Sequence, residues 1–314
     1  MENKRSLNKK ISVIIPTYQA AKFLPSLIKD IQNQTINITE ILVIDSSSTD
    51  DSLKIARQLG VRTLVVPKKE FNHGLTRTIA AQQSIGDIIV FLTQDVRIRD
   101  KKALEILISY IRDDIVLAYG RQVAPPNFDK LPALHRLFNY GKETKIFSYN
   151  DRYIFGIKTA FASNSFAAYK REALEEIGWF PKLPASEDIY AAASFLKRGY
   201  RIAYVAEACV WHAHKFHVLR ELKRYYNIGK FFAQEAWILN EFGIAENEGR
   251  KYLTFALKHL YSYPHLLIVF FIQSFIRYFG YRLGLNLEKI LSQKSFNNDL
   301  LNRAYSKTIK RNLM

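Results

Sequence analysis

Cysteine is almost absent from this 314-residue chain, with Cys209 the single example. One cysteine closes no intrachain disulfide and builds no thiolate metal centre, so a disulfide scaffold and a Cys-based zinc module are both excluded. Cys209 is expected to behave as a small buried apolar residue, and the lack of disulfides fits a reducing compartment. No G-x-G-x-x-G or G-x-x-x-x-G-K pattern occurs, which removes a glycine-rich phosphate cradle, and no serine nucleophile elbow is present. Residues 1–10 are polar and lead into only five apolar-leaning residues before Pro16, too few for a signal-peptide core. The most apolar run, 266–272, is bracketed by Pro264, His265, Gln273 and Arg277. It falls short of the roughly 20 residues a spanning helix needs, so a membrane-crossing segment is not expected. These absences point to a cytoplasmic protein.

Acidic residues are also scarce: 46 Lys+Arg stand against 29 Asp+Glu, a net charge of +17. The excess implies anionic partners, whether nucleic acid, phosphorylated small molecules or an acidic lipid surface. It is strongest at the end, where residues 250–314 carry eleven Lys and Arg against Glu288 and Asp299. A hydrophobic share of 48% and an aromatic share of 13% supply a substantial core and exclude a disordered or collagen-like chain. The length allows one large domain, or one domain with a sizeable extension.

Short continuous apolar runs at 11–16, 40–45, 62–66, 87–92 and 115–119 read as buried strands. Between them, 20–33, 49–59, 75–84 and 101–111 carry helical spacing. Strand and helix in alternation predict βαβ units and a mostly parallel sheet, whose ligands bind beyond the carboxyl ends of the strands. Residues 131–140, 171–177 and 188–197 read as further helices. Residues 154–169, rich in small and polar side chains, read as a loop lining a site. The chain becomes helical and rich in Tyr and Phe from 215.

Chemistry then concentrates in few places. Asp45 and Asp95 end apolar strands. Either suits a turn; Asp45 can instead accept from a base N–H or a ribose hydroxyl, and Asp95 can hold a divalent cation whose other oxygens come from a diphosphate. Asp50 lies in a Ser/Thr-rich turn and suits a helix cap. Glu187-Asp188 precedes a helix, where carboxylates cap and favour the positive end, and where one can also act as a general base. His212 and His214 alternate at a strand end and so point one way, with His217 close by, which suits either metal ligation or ordinary buried hydrogen bonding. Phe71-Asn72-His73-Gly74 and Arg77 form a polar loop before a helix, where the arginine could pair with phosphate.

Taken together these residues resemble glycosyltransferase family 2, the inverting nucleotide-sugar transferases with a GT-A fold. The resemblance covers roughly 11–215. It rests on Ser12-Val13-Ile14-Ile15-Pro16-Thr17-Tyr18, on Ile44-Asp45-Ser46-Ser47-Ser48-Thr49-Asp50, on 88–95, and on Ser186-Glu187-Asp188. Phe71-Asn72-His73-Gly74-Leu75-Thr76-Arg77, Thr93-Gln94-Asp95 and Trp211-His212-Ala213-His214 look like those of the bacterial rhamnosyltransferases. Such enzymes use dTDP-L-rhamnose to build O-antigen, capsule or rhamnan, commonly on lipid-linked acceptors.

The resemblance implies a GT-A catalytic domain over 1–214, an α/β unit with helices flanking the sheet, and a helical C-terminal extension over 215–314. It implies a donor site at Pro16, Thr17, Tyr18, Asp45, His73, Arg77 and Gln94, and Mg²⁺ or Mn²⁺ on Asp95 with His212 or His214. Asp188 would be the catalytic base, with Glu187 and Trp211 on the acceptor side. Three positions depart from the family pattern: Thr93 replaces the first carboxylate of D-x-D, Ser46 a frequent second Asp, and Thr78 a frequent Asn. The aromatic, basic stretch 261–282 suggests a helix either packed on the catalytic domain or lying in a membrane interface. The membrane alternative makes the enzyme peripheral on the inner face of the cell membrane. Another donor such as a UDP-hexose, or a nucleic-acid- or anionic-lipid-binding protein, are the competing readings. No nucleic-acid module is recognised, and the acidic strand ends would repel phosphate unless a cation sits there.

Overall fold

The structure, a computed structural model, describes the backbone of residues 9–312 and the side chains of residues 9–291. The polar segment 1–8 and the cationic side chains beyond 291, both weighed above, lie outside the described residues. Strand β1 (Ile11–Thr17) lies between β2 (Glu40–Asp45) and β4 (Ile88–Leu92), with β3 (Arg62–Val65) outside β2, all parallel. Helices α1 (Leu24–Gln32), α2 (Ser52–Gln58) and α3 (His73–Gln83) make the crossovers. Beyond β4 the sheet becomes mixed. β8 (Phe166–Lys170) inserts antiparallel between β4 and β6 (Ile115–Val123), and β9 (Arg201–Trp211) runs parallel to β6. Two short strands, β5 (Arg97–Ile98) and β7 (Lys145–Phe147), pair antiparallel with β9. The sheet order is β3-β2-β1-β4-β8-β6-β9-β5, with β7 also on β9.

The expected parallel sheet is therefore the β3-β2-β1-β4 half. The expected loop at 154–169 is shorter than its composition suggests. Its start is the last turn of the short helix α6 (Arg152–Phe155), a tight helical turn follows at Gly156–Ala160, and its end is taken by β8. Ala167 and Ala168 hide that strand, because alanine carries little β preference and gains its place only from neighbours on both sides.

The strands read as unbroken apolar runs because both faces are covered. Ile14, Leu42, Ile44, Phe91, Tyr169, Phe180 and Phe195 fill one face. Val13, Ile15, Val43 and Val90 fill the other against Leu24, Leu27 and Leu107, the last from α4 (Ala103–Ser109). Each such side chain contributes about 1.5–3 kcal/mol on burial. The remaining helices are α5 (Lys130–Asn139), α7 (Arg171–Glu176), α8 (Glu187–Lys197), α9 (Val218–Gln234), α10 (Ala236–Phe242), α11 (Glu246–Leu260) and α12 (Pro264–Asn312).

Phe231, Phe232, Ile238, Phe242, Tyr281 and Leu285 from the C-terminal helices join the same apolar cluster as Ile14 and Phe91. Helices α9 and α12 meet backbone to backbone. A Cβ on Gly229 would stand 2.0 Å from the Tyr281 carbonyl oxygen, and one on Gly284 2.0 Å from that of Tyr226. Arg277 on α12 pairs with Glu221 on α9 at 2.9 Å. The apolar run 266–272 is short, but the helix continues through further Phe, Tyr and Leu, so Pro264–Leu291 is long and apolar enough to cross a membrane by length and composition. Its packing against α9, with Arg277 paired there, ties part of that length to the catalytic fold.

Candidate active site

The crevice at the carboxyl ends of β1, β2 and β4 is built from turn chemistry. Asp45, fully buried, accepts from Thr17 Oγ1 at 3.0 Å, Ser48 Oγ at 2.6 Å and the Ser48 backbone N–H at 2.7 Å. Asp50 accepts from the backbone N–H groups of Ala21 and Ser52, closing the same loop. Gln94 pairs with the Tyr18 backbone in both directions, at 2.8 and 3.1 Å, which ties the end of β1 to the end of β4. The Tyr18 ring is exposed beneath the Lys68 ammonium, 4.5 Å from its centroid. Pro16, Thr17, Tyr18, Asp45 and Gln94 therefore share one strand-end wall, in which Tyr18 and Gln94 reach the surface while Thr17 and Asp45 lie buried.

A second group closes around Asp95. Its carboxylate lies 3.4 Å from His212 Nε2 and 3.3 Å from His214 Nδ1. One ligand atom from each of the three residues fits within 4.8 Å of the others. His212 is buried, and its Nδ1 meets Gln122 Oε1 at 2.8 Å, while Gln122 Nε2 donates to Ser163 Oγ. Gln122 Oε1 can accept from Nδ1–H, the tautomer that leaves the Nε2 lone pair facing Asp95, while Arg136 Nη2 approaches the same Nδ1 at 3.5 Å. Nε2 has no hydrogen-bond partner although it is buried. An orphaned imidazole lone pair beside a carboxylate is the donor set of a divalent cation.

The electrostatics agree. Burial, with help from Arg136, pushes His212 down to about 4 against the pull of Asp95, and burial likewise lowers His214. Burial opposes ionisation of Asp95, but the two imidazoles beside it outweigh that and hold the carboxyl well below its ordinary range. Neutral histidines with an ionised aspartate are the protonation states that bind metal. Next to this group a cavity of about 370 Å³ is lined by Asp95, His214, Lys215, His217 and Arg220.

The third group surrounds Asp188. Ser186 takes φ +61° immediately before α8, which turns Glu187 inward and leaves Asp188 half-buried at the helix head. Asp188 Oδ2 accepts from the Asn164 N–H at 3.1 Å and Oδ1 from the Ile189 N–H at 2.9 Å. Burial, then the neighbouring Glu187 charge, push the Asp188 carboxyl up to about 7 against those two N–H groups and Arg77. A carboxylate poised near neutrality suits proton abstraction.

Not every sequence-selected residue faces the crevice. Arg77 is buried and pairs with Glu187 at 3.1 Å, so both point into the protein. The loop around them does structural work. Asn72 caps α3 through the Gly74 and Leu75 N–H groups and donates to the Leu183 carbonyl at 2.7 Å. A Cβ on Gly74 would stand 2.1 Å from the Pro181 carbonyl oxygen. His73 stays at the surface, edge-on to Phe71. Trp211, one residue before His212 on β9, points to the opposite face and lies beneath the Arg99 guanidinium at 5.8 Å. Cys209 shares that face and is half-buried. Sequence reasoning passed over Asn164, whose backbone N–H meets Asp188 and whose side chain meets Glu187, and Gln122, whose side chain meets His212. Their only signal was a polar side chain inside an otherwise small or apolar stretch.

A sheet of this order, with carboxylates at the strand ends and a third carboxylate heading a helix across from them, defines a glycosyltransferase of the GT-A type. The chain belongs to glycosyl transferase family 2, whose model matches residues 12–178. It is 37% identical over 280 residues to the O-antigen chain rhamnosyltransferase RfbN of Salmonella typhimurium, covering 88% of this chain and 89% of that one. It is 41% identical to the O-antigen chain rhamnosyltransferase WbaN of Salmonella anatum, covering 87% and 88%. Among solved structures, the mannosyltransferase PcManGT from Pyrobaculum calidifontis, in complex with GDP-Man and Mn²⁺, shares the fold with a TM-score of 0.58. The two are 19% identical, with 93% of this chain and 87% of that one covered.

Proposed function

We propose that the protein transfers L-rhamnose from dTDP-L-rhamnose to a lipid-linked saccharide in the synthesis of a bacterial cell-surface polysaccharide, with inversion at the anomeric carbon. The near-full-length similarity to two O-antigen chain rhamnosyltransferases carries this reading. Catalysis resides in the domain 1–214, and 215–314 serves as the extension. Asp188 takes the proton of an acceptor hydroxyl as that oxygen attacks the anomeric carbon. The bond from that carbon to the diphosphate breaks, and the nucleoside diphosphate leaves on the opposite side. Pro16, Thr17, Tyr18, Asp45 and Gln94 bind the nucleoside. Asp95, His212 and His214 would hold Mg²⁺ or Mn²⁺, which when bound neutralises charge on the departing diphosphate. One base and no enzymic nucleophile suffice for a single displacement.

The donor is tested by thermal unfolding with dTDP, dTDP-rhamnose, UDP and UDP-glucose, each with and without Mn²⁺. A nucleotide at about 100 times its Kd stabilises by roughly 2.7 kcal/mol. The thymidine nucleotides are expected to give that shift and the uridine ones less. A uridine preference would reject the donor while leaving the transferase.

A membrane surface is the proposed place of work, on the cytoplasmic side. What supports it is the outer face of α12, where Ile268 is 65% exposed, Ile272 55% and Phe275 67%. Lys258 in the last turn of α11 and Tyr261 in the turn that leads to α12 lie exposed. An apolar stripe beside cations lies in an anionic lipid interface. The wild-type protein is expected to float with vesicles containing phosphatidylglycerol. Phe275→Asp and Ile268→Asp should together weaken that binding about tenfold or more, since each removes a buried apolar side chain and adds repulsion. Unchanged flotation of the double variant would remove α12 as the contact.

A further inference from the structure

Three side chains withdrawn from solvent meet directly behind the proposed base. Arg77 Nη1 and Glu187 Oε1 stand 3.1 Å apart, each side chain about 6% exposed. Asn164 bridges the two carboxylates: its Nδ2 donates to Glu187 Oε1 at 3.0 Å and its backbone N–H to Asp188 Oδ2 at 3.1 Å. Tyr169 donates its hydroxyl to Asn164 Oδ1 at 2.7 Å, which sets the orientation of that amide. Arg77 also donates to the His73 carbonyl at 3.0 Å. Helix α3, which carries it, is bolted to the segment before α8 by Asn72–Leu183 and by Thr78, whose hydroxyl donates to the Phe180 carbonyl at 3.0 Å.

A buried ion pair is a poor device for stability, since desolvation cancels much of its attraction and apolar residues of equal volume serve as well. Its value here lies in its position. The Arg77 and Asn164 side chains both end on Glu187, the residue next to the base, and the Asn164 backbone N–H carries the link on to Asp188. We propose that Arg77, Glu187 and Asn164 form a positioning clamp that holds Asp188 in its reactive orientation. This rests on the assignment of Asp188 as the base. It moves Arg77 from the donor wall, where the family resemblance puts it, to the machinery behind the base.

The clamp has two electrical arms. The Glu187 charge opposes ionisation of Asp188, and the Arg77 charge favours it. Tyr169 on β8 and Tyr140 after α5 also face Asp188, and burial raises both, so they remain neutral; His73 at the head of α3 acts on Glu187, and burial lowers it below the ordinary imidazole range. Removing one arm should therefore shift the base in the opposite direction to removing the other. A merely structural pair would not produce that pattern.

The test is the pH profile of kcat for the full-length enzyme with donor saturating. Glu187→Gln, which keeps the hydrogen-bonding shape, should move the acid limb down by about one pH unit. Arg77→Gln should move it up by about as much. Both should lower kcat about ten- to a hundredfold with the donor KM within about threefold. Tyr169→Phe loses only the hydroxyl on Asn164, and should lower kcat about threefold or more with an unmoved limb. If Arg77→Gln does not fold, Glu187→Gln and Tyr169→Phe decide the matter by their own limb and kcat.

A raised donor KM at unchanged kcat in Arg77→Gln would make it a donor ligand and overturn the clamp. So would wild-type limbs and kcat in all the variants while Asp188→Asn is inactive. An active Asp188→Asn would instead overturn the base assignment beneath it.

Discussion

Asp188→Asn should lower kcat by about 10²–10⁴-fold, the range for loss of a positioned general base. Its affinity for donor nucleotide should barely change. The amide is isosteric, and its oxygen still accepts from Asn164 or Ile189, so the helix head keeps its shape. In the wild type, activity should climb as pH rises through about 7, because the base must shed its proton and burial beside Glu187 holds that proton unusually tightly. The residual activity of the variant should lack this limb. Stability runs the other way. The folded carboxyl titrates above its unfolded value, so ionising it costs the folded state, and stability falls as pH rises from the ordinary carboxylate range to about 7. The asparagine variant, with no charge to bury, should therefore be at least as stable as wild type at pH 8. Initial rates, nucleotide-dependent thermal shifts and unfolding at two pH values measure all of this. Wild-type turnover in the variant would sink the base assignment.

Asp95→Ala should abolish tight Mn²⁺ binding, read by calorimetric titration of the metal alone, and lower transfer by about 10²–10⁴-fold. The carboxylate is the single acidic member of the cluster. Without it two neutral imidazoles remain, one of them 45% exposed. Gln122→Ala tests the same centre from behind. It touches no metal position, yet its oxygen holds the His212 Nδ1 proton and so aims Nε2 at Asp95. Losing such an orienting partner costs about 10–100-fold in metal affinity. Equal Mn²⁺ affinity in wild type and Asp95→Ala would remove the cluster as the metal centre.

Much of this was legible in the residues alone. Strand-end carboxylates are readable because a buried parallel strand is a short apolar run, and the polar residues that close it or directly follow it must stand at the carboxyl edge of the sheet. Asp45 and Asp95 follow from that rule, and alternation at the end of β9 put His212 and His214 on one side. Each of these depends on contacts within a few residues or on a fixed period. Alternation also separates Trp211 from His212, yet only β5, with Arg99 just beyond it, showed what that other face meets.

Other features depended on partners far away in the chain. Arg77 looks like a phosphate ligand by sequence. It turns inward because Glu187, 110 residues on, is brought beside it by the packing of α3 on the segment before α8. Asn164 has no local signature, since its function lies in joining Glu187 to Asp188. The antiparallel β8 has weak intrinsic preference and exists because β4 and β6 leave a slot between them. The sequence by itself determined the α/β class, the strand-end carboxylates, the histidine pair and the cationic surplus, because these are set by local periodicity and composition. Tertiary structure alone decided which charges meet, which lone pair stays unpaired, and which proton is held near neutrality. Those depend on distance and desolvation, quantities that sequence spacing does not encode.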